Sequence, residues 1–194
     1  NADVLPFTFA NFADNVARYV EEVTKLADRR REETEQHNAL VAADAHTLAA
    51  DPTRTYVAPR AKPPVPYLNF APLQNALARL EASAKGYDAA LHDRMASDEG
   101  VPAPVREALN DILLHAERAM TRPEGLPRRS WFRHQIYAPG FYTGYGVKTL
   151  PGVREAIEQR DWNEATEQIQ VVARILEQVA HEMDRATEAL AVAE

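Results

Sequence analysis

The sequence predicts an all-α protein: a four-helix bundle with a proline-rich connector and a long loop, rich in aromatic residues and glycine, before the last long helix. Apolar residues recur at alternating spacings of three and four in several long stretches, which is the pattern of one helix face. No segment of four to eight residues alternates apolar and polar residues as a half-buried strand does. At 194 residues the chain has room for one sizeable core.

The first helix is expected to begin at Asn11, a favourable N-cap residue with Asp14 three positions on. A mixed charge run at residues 28 to 33 interrupts its apolar stripe and is interpreted as a solvated face. The helix is expected to resume through Leu48 and to end before Pro52, since proline excludes a continuing helix. The stripe consists of Phe12, Val16, Tyr19, Val23 and Leu26.

Residues 52 to 68 are predicted to form an extended connector, because prolines remove backbone donors and exclude helix. A linker within the domain is favoured over a ligand for a proline-binding groove. The second helix is expected to start near Asn69 with Pro72 in its first turn, and Gly86 within it suggests close packing or a kink. The connector contains Pro52, Pro59, Pro63, Pro64 and Pro66, and the stripe of the second helix is Leu73, Leu77, Leu80, Ala84, Tyr87, Leu91 and Met95.

A third helix is predicted to open at Pro102 or Pro104 and to stop before Pro123, because a residue that precedes proline is pushed out of helical angles. A short helix is predicted at residues 151 to 159, and Asp161 is the expected cap of the last helix. That helix keeps strict spacing over nine apolar positions, which is typical of lengthwise packing in a bundle. The third stripe is Val105, Leu109, Ile112, Ala116 and Met120; the last is Trp162, Ala165, Ile169, Val172, Leu176, Val179, Met183, Ala186 and Leu190.

Composition excludes several classes of partner. Lys and Arg total 22 against 29 Asp and Glu, and the net charge of −7 argues against nucleic acid and against an anionic membrane surface. No apolar run approaches the roughly 18 to 20 residues of a membrane-spanning helix, and no signal segment opens the chain. The absence of cysteine excludes disulfides and a thiol nucleophile. Because the chain begins at Asn1 rather than Met, we expect a processed or excised piece of a longer protein.

No catalytic site, cofactor or metal is expected on this chain alone. None of its six histidines lies in an H-E-x-x-H motif: His181 and Glu182 begin one, but Arg185 stands where the second histidine belongs. Phosphate-binding, dinucleotide-binding, calcium-loop and nucleophile-elbow motifs are also missing from the sequence. A metal site built from distant positions would leave no such motif.

Residues 131 to 153 are the segment that bears on function. They hold six of the fifteen aromatic residues and four of the seven glycines, whereas helix connections ordinarily run about 2 to 8 residues. Such a loop either closes one end of its own bundle or packs against another surface. His134 could act as a base, but an imidazole that bridges loop backbone groups is favoured. Arg133 is suited to fixing loop carbonyls or a carboxylate across an interface.

The same segment carries a family resemblance. The run RHQIYAP at residues 133 to 139, followed by Tyr145 and by LPGV at 150 to 153, resembles the C-terminal transferrin receptor-like dimerisation domain. That domain ends the zinc peptidases of the glutamate carboxypeptidase, or N-acetylated alpha-linked acidic dipeptidase, family. EGLP at 124 to 127 fits the family's GLP element, and DVLPF at 3 to 7 resembles the junction with the preceding catalytic domain. The resemblance spans nearly the whole chain, although the stretch before the second helix carries no specific motif.

The resemblance implies one helical dimerisation domain over residues 1 to 194. Residues 1 to 10 would be the junction with an absent upstream catalytic domain, and residues 121 to 152 an ordered functional loop. It also implies a homodimer and a zinc-dependent exopeptidase as the parent, with two zinc ions upstream and none here. The loop 133 to 146 would dock on the catalytic domain and line the pocket for the terminal residue of a peptide substrate. The residues that would structure the loop or the interface are Arg133, His134, Tyr137, Pro139, Pro151 and Gly152.

Three residues are implied to bind substrate in the intact parent. Tyr145 matches the family's tyrosine that hydrogen-bonds a substrate carboxylate. Thr143 stands where the family has asparagine, and Gly144 where it has the lysine that supplies charge complementarity. These departures fit an aminopeptidase or a broader exopeptidase at least as well as a glutamate-releasing enzyme. Lys148 could supply a cation instead.

A second interpretation stays open at this point. The family includes receptor-like members whose upstream domain has lost its zinc ligands, and this bundle would then be a dimer and docking module for another protein. A third is a free-standing bundle with an accidental resemblance. The zinc ligands lie outside these residues, so the sequence leaves the choice open, together with the dimer-forming helices and the compartment. The resemblance fits an exported parent, whether periplasmic, secreted or membrane-anchored.

Overall fold

A computed structural model of the chain describes residues 4–47, 50, 53, 55–97 and 101–191. Within them, five α-helices and a short 3₁₀ helix are joined by loops that include one small hairpin. The helices are α1 (Ala10–Ala42), α2 (Ala71–Ala96), α3 (Ala103–His115), the 3₁₀ helix (Ala116–Met120), α4 (Pro151–Gln159) and α5 (Trp162–Ala191); the strands are β1 (Tyr137–Pro139) and β2 (Val147–Thr149). The predicted all-α class and helical bundle are confirmed. The hairpin was not predicted, because strands of three residues are too short to show alternation.

Helix α5 is the centre of the fold, since it packs against α2, α3, α4 and the 3₁₀ helix, while α1 packs on α2 and α4. Eight of the nine predicted stripe positions of α5 are buried, and Trp162 is partly buried. Further buried residues, Val171 and Ile175 among them, widen the stripe around the helix. Charged residues such as Arg174 and Glu177 stay exposed on the opposite side, so α5 is an amphipathic helix whose broad apolar face lies against the core.

Helix α1 is one continuous helix, with no break at the charge run of residues 28 to 33. That run forms exposed ion pairs between residues three apart, which fits the predicted solvated face. The helix ends at Ala42, earlier than predicted. Leu48 and Pro52, which marked the predicted end, lie outside the described residues. The predicted N-cap at Asn11 is also wrong, because the helix begins after Phe9 and no side chain of its own first turn caps it.

Residues 55 to 68 form neither helix nor strand. They run beside the second half of α1, where Asn38 exchanges two hydrogen bonds of 2.8 Å with the backbone N–H and C=O of Lys62. Arg160, at the end of α4, donates to the carbonyl of Pro63 at 2.6 Å. Backbone groups that the prolines leave without ladder partners are therefore bonded by side chains of the bundle.

The start of α2 follows the prediction, and so does its apolar stripe except for Met95, which is exposed. The helix begins at Ala71, whose N–H donates to Asn69 Oδ1 at 3.0 Å, and Pro72 lies in its first turn. Close packing at Gly86 is wrong, since that position is exposed and a Cβ there would meet nothing within 4 Å. The third helix is shorter than predicted, because it tightens into the 3₁₀ helix at Ala116. Such tightening is common at helix ends.

Candidate functional site

The site is built by residues 121 to 150, which connect the 3₁₀ helix to α4. Backbone hydrogen bonds fasten the first half of this segment to the bundle, among them one of 2.9 Å from the Gln135 N–H to the Met120 carbonyl. Gly125 then reverses the chain with a φ of +68°, and a Cβ there would collide with the backbone of Ser130. The GLP element is therefore a turn that needs glycine.

The second half is the antiparallel hairpin, which pairs Tyr137 with Thr149, Ala138 with Lys148 and Pro139 with Val147. Beyond the paired residues lies the tip, residues 141 to 146, all of which are exposed, as is Val147 at the start of β2. A hydrogen bond of 2.8 Å from the Gly140 N–H to the Gly146 carbonyl closes the tip. Tyr142 and Tyr145 are 76% and 104% exposed. The interpretation that the loop closes its own bundle is therefore wrong for these two rings.

A buried ion pair lies beneath the tip. Arg129 Nη2 donates to both carboxylate oxygens of Glu155, at 2.7 and 2.8 Å, and the two side chains are only 3% and 6% exposed. Their other bonds reach the backbone on either side of Gly140: Glu155 accepts the Phe141 N–H at 2.9 Å, and Arg129 donates to the Pro139 carbonyl. Because a buried charge must keep its partner, this pair ties the hairpin to α4.

Helix α4 also holds the second strand. Glu158 accepts a hydrogen bond from Lys148 Nζ at 2.7 Å. Arg154 donates to the backbone oxygen of Thr149 at 3.0 Å and to its hydroxyl at 2.7 Å, and it pairs with Glu22 of α1. The ammonium of Lys148, considered above as a cation for substrate, is thus paired with α4.

His134 supports the backbone where β1 begins. Its Nδ1 accepts the N–H groups of Ile136 and Tyr137 at 3.3 and 3.2 Å, and its ring centroid lies 4.1 Å from that of Tyr137. Burial lowers the pKa of His134 below its ordinary 6.5, and the nearby Glu117 carboxylate opposes that shift. The Tyr137 hydroxyl donates to Glu117 at 3.3 Å, and burial raises the pKa of Tyr137. A neutral ring that accepts at Nδ1 fits the predicted structural role better than that of a base.

Arg133 contributes its backbone to the loop. Its carbonyl accepts the Arg122 N–H at 3.0 Å and the side-chain amide of Gln135 at 2.8 Å. The guanidinium is exposed and makes no hydrogen bond or ion pair with the described part of the chain. It is therefore available to a carbonyl or carboxylate from outside, as the sequence suggested.

The junction between the hairpin and α4 is tightly built. Leu150 is fully buried with a φ of +45°, and its N–H donates to the Ile136 carbonyl at 2.7 Å. A left-handed conformation is strained for a branched residue. Pro151 is the first residue of α4. Gly152 lies so close to α5 that a Cβ would collide with the side-chain oxygen of Gln168. Pro151 and Gly152 thus fix how α4 leaves the hairpin.

The three residues predicted to bind substrate, Tyr145, Thr143 and Gly144, all lie in the exposed tip. The Thr143 hydroxyl lies over Gly140, where a Cβ would collide with it. Gly144 has a φ of +62° and open space around it. The tip contains no Lys, Arg, Asp or Glu, so it offers aromatic rings, hydroxyls and backbone groups to a partner.

A metal site is not among the features of the described residues. Nowhere in them do three or more His, Asp or Glu side chains come together as potential ligands. None of the helices in the same residues has the length and apolar character to cross a bilayer.

Sequence reasoning missed the Arg129–Glu155 pair. The two residues stand 26 positions apart, which is no helical or strand period. One weak signal was present: Glu155 lies among the apolar positions Val153, Ala156 and Ile157 of a short helix. A carboxylate on such a buried face requires a cation, and Arg128 and Arg129 were the candidates beside the GLP turn. Arg128 instead pairs with Glu164, at 2.7 and 2.9 Å.

The helical bundle thus carries an exposed aromatic tip above a buried ion pair. Comparison of the sequence with models of protein families identifies the family of this domain. Residues 68–184 match the model of the transferrin receptor-like dimerisation domain. Because this match covers more than half of the chain, the protein belongs to the transferrin receptor-like dimerisation domain family.

Curated relatives extend the comparison. Two proteins whose names include the words glutamate carboxypeptidase are similar: one from Arabidopsis thaliana, 43% identical over 79 residues (37% of this chain, 12% of the relative), and one from Arthroderma benhamiae, 34% identical over 96 residues (50% and 12%). A Saccharomyces cerevisiae protein whose name includes the words zinc metalloprotease is 34% identical over 79 residues (37% and 10%). The chain therefore corresponds to only a small part of the length of these relatives.

Proposed function

We propose that this chain is the dimerisation domain of a zinc-dependent exopeptidase, a carboxypeptidase or an aminopeptidase, and that it forms a homodimer. In this proposal the loop 133 to 146 docks on a catalytic domain that precedes residues 1 to 10, and it helps to shape the pocket for a peptide substrate. Zinc belongs to that catalytic domain. The family match and the names of the relatives support the assignment of the parent.

The exposed tip is the observation that carries the docking role. Tyr142 and Tyr145 leave most of their surface in solvent, at 76% and 104% exposed, and Val147 beside the tip is 69% exposed. Neighbouring exposed rings, such as Phe141 and Tyr142 with centroids 4.8 Å apart, support an interaction site at the tip. Backbone hydrogen bonds order the tip before any partner arrives, so binding loses less conformational entropy than it would with a disordered loop.

The chemistry of the tip suits positioning of a substrate rather than bond breaking. Tyr145 and Thr143 supply hydroxyls, and Gly144 supplies no charge at the position where the resemblance implies lysine in the family. The nearest lysine, Lys148, is paired with Glu158. These features support a preference for a neutral terminal residue, or broad specificity, over release of glutamate.

The dimer is tested by the solution mass of the chain, measured by light scattering over a range of concentrations. The expected result is a mass near twice 21.7 kDa that persists on dilution. A monomer at every concentration would contradict dimer formation by this domain on its own.

The pocket role is tested by Tyr145→Phe in the intact parent. Loss of a hydrogen bond to a charged substrate group should lower kcat/KM about tenfold or more, with zinc content unchanged. Tyr67→Phe is the matched control, because Tyr67 is a similarly exposed tyrosine (83%) outside the loop. An unchanged kcat/KM for Tyr145→Phe would disprove the pocket role. A parent that binds no zinc and hydrolyses no peptide would instead support the non-catalytic docking module.

A further inference from the structure

We propose that Arg129 and Glu155 are positioning residues, which set the orientation of the tip relative to the bundle. The inference rests on the proposed function, because orientation matters only if the tip meets a partner. It deepens that function by separating what presents the docking surface from what contacts the partner. Neither residue is exposed enough to touch a partner directly.

Few bonds connect the tip to the bundle. At the β1 end they come from the pair, through the Pro139 carbonyl and the Phe141 N–H. At the β2 end the connections are the partly exposed contact of Lys148 with Glu158 and the bonds of Arg154 to Thr149, three residues beyond Gly146. The tip's remaining backbone hydrogen bonds stay within the loop. The pair is therefore the buried attachment that determines where the tip points.

Two physical properties suit the pair to this task. Hydrogen bonds to ionised groups are shorter and stronger than neutral ones, and a site shielded from water strengthens them further. Arg129 is also placed under the ring of Phe141, with its guanidinium carbon 5.8 Å from the ring centroid, which is a cation–π distance. The first residue of the tip is thus held by its backbone and by its side chain.

A positioning role can be separated from a stabilising one. Removal of one partner leaves a buried charge unpaired and destabilises the whole fold, whereas replacement of both by apolar residues is often neutral or stabilising. The double variant Arg129→Met/Glu155→Leu should therefore keep the bundle folded while it deletes both backbone bonds to the tip. If the pair merely stabilised the fold, this double substitution would leave the order of the tip unchanged.

The first test is amide hydrogen exchange of the 194-residue chain, combined with thermal unfolding by circular dichroism. For Arg129→Met/Glu155→Leu we expect a melting temperature close to that of the unaltered chain and exchange of the Phe141 amide about tenfold faster or more, as for a lost charge-assisted hydrogen bond. The matched control is Lys148→Met/Glu158→Leu, which removes an ion pair from the same helix and should leave the Phe141 amide protected. Unchanged exchange at Phe141 in the first variant would overturn the proposal.

Glu155→Asp provides a second route if the double variant does not fold. It keeps the charge opposite Arg129 but shortens the side chain by one methylene, which should weaken the bond to the Phe141 N–H. Faster exchange at Phe141 with little change at the amides of α5 supports positioning. Equal acceleration at both places would mean general destabilisation and would contradict it.

The second test is kinetic and uses the intact parent. The double variant should lower kcat/KM as Tyr145→Phe does, while zinc content and dimer mass stay the same. Fast exchange at Phe141 with an unchanged kcat/KM would support positioning and disprove the pocket role. If the Phe141 amide exchanged as slowly as in the unaltered protein while kcat/KM fell, the positioning role of Arg129 and Glu155 would be disproved and the pocket role would stand.

Discussion

The carboxylate of Asp88, on α2, accepts a hydrogen bond of 2.9 Å from the backbone N–H of Phe9, immediately before α1. Its second oxygen accepts the N–H of Ala10, also at 2.9 Å. The first N–H groups of a helix have no partner inside the helix, and here a neighbouring helix provides one. The first turn of α1 is therefore coupled to its packing on α2.

Asp88→Ala should lower the free energy of unfolding by about 1 to 2 kcal/mol, because two helix-end N–H groups lose a charged acceptor. Urea denaturation followed by circular dichroism measures it. Asn11→Ala is the informative control, since the sequence marked Asn11 as the cap and the structure does not. If Asn11→Ala lowered the free energy of unfolding as much as Asp88→Ala, the cap of α1 would be the local residue Asn11.

Tyr87→Phe should leave stability unchanged or raise it by up to about 1 kcal/mol, because the Tyr87 hydroxyl is buried without a partner among the described residues. Burial, aided by Asp88, raises the pKa of Tyr87 from 10.0 to about 12. The unfolded chain then loses its proton first, so stability should fall as the pH rises from 10 towards 12. Melting temperatures across this range should decline less in the variant. An equal decline in both proteins would contradict the assignment.

His134 should make the loop sensitive to mild acid. Because its pKa in the folded chain lies below 6.5, opening of the loop takes up a proton, and protection of the Ile136 and Tyr137 amides should fall as the pH drops below about 6.5. Hydrogen exchange, corrected for its intrinsic pH dependence, reports this. His134→Asn keeps an acceptor and removes the titration, whereas His181→Asn, at an exposed position, should retain the full effect. Equal acid sensitivity in His134→Asn would rule out the imidazole as its source.

Two glycine substitutions should change stability in opposite directions. Gly152→Ala places a methyl group against the Gln168 side chain in the buried contact of α4 with α5, and overpacking of this kind costs about 1 to 3 kcal/mol. Gly86→Ala should instead stabilise α2 by up to about 1 kcal/mol, since the site is open and alanine favours helix. Denaturant midpoints of the two variants provide the comparison. A stabilising Gly152→Ala would show that the Gln168 side chain can move aside and would contradict the tight contact.

The helices were predictable to the extent that their determinants are local. The stripe of α5 repeats with the helical period, so its buried positions could be read directly, and Asp161 accepts the Glu164 N–H at 3.0 Å as a local cap should. The end of α1 was placed too late because helix propensity continued beyond Ala42.

The determinants of the site lie far apart in sequence. Asp88 is 79 positions from Phe9, and no spacing rule connects Arg129 to Glu155. The sequence also did not reveal which side chains of the loop are exposed. A glycine-rich loop has the same sequence whether its tyrosines pack inward or, like Tyr145, face solvent. The residue types of the loop were therefore visible, but their arrangement required the fold.

The separation of the tip from its buried base has a practical consequence. Tyr142, Thr143 and Tyr145 support no part of the core, so they can be varied together without loss of the bundle, provided that Arg129 and Glu155 remain and that Gly144 keeps its left-handed conformation. The domain is in effect a display scaffold with a replaceable end. A combinatorial library over those three positions would yield folded proteins that differ mainly in what they recognise.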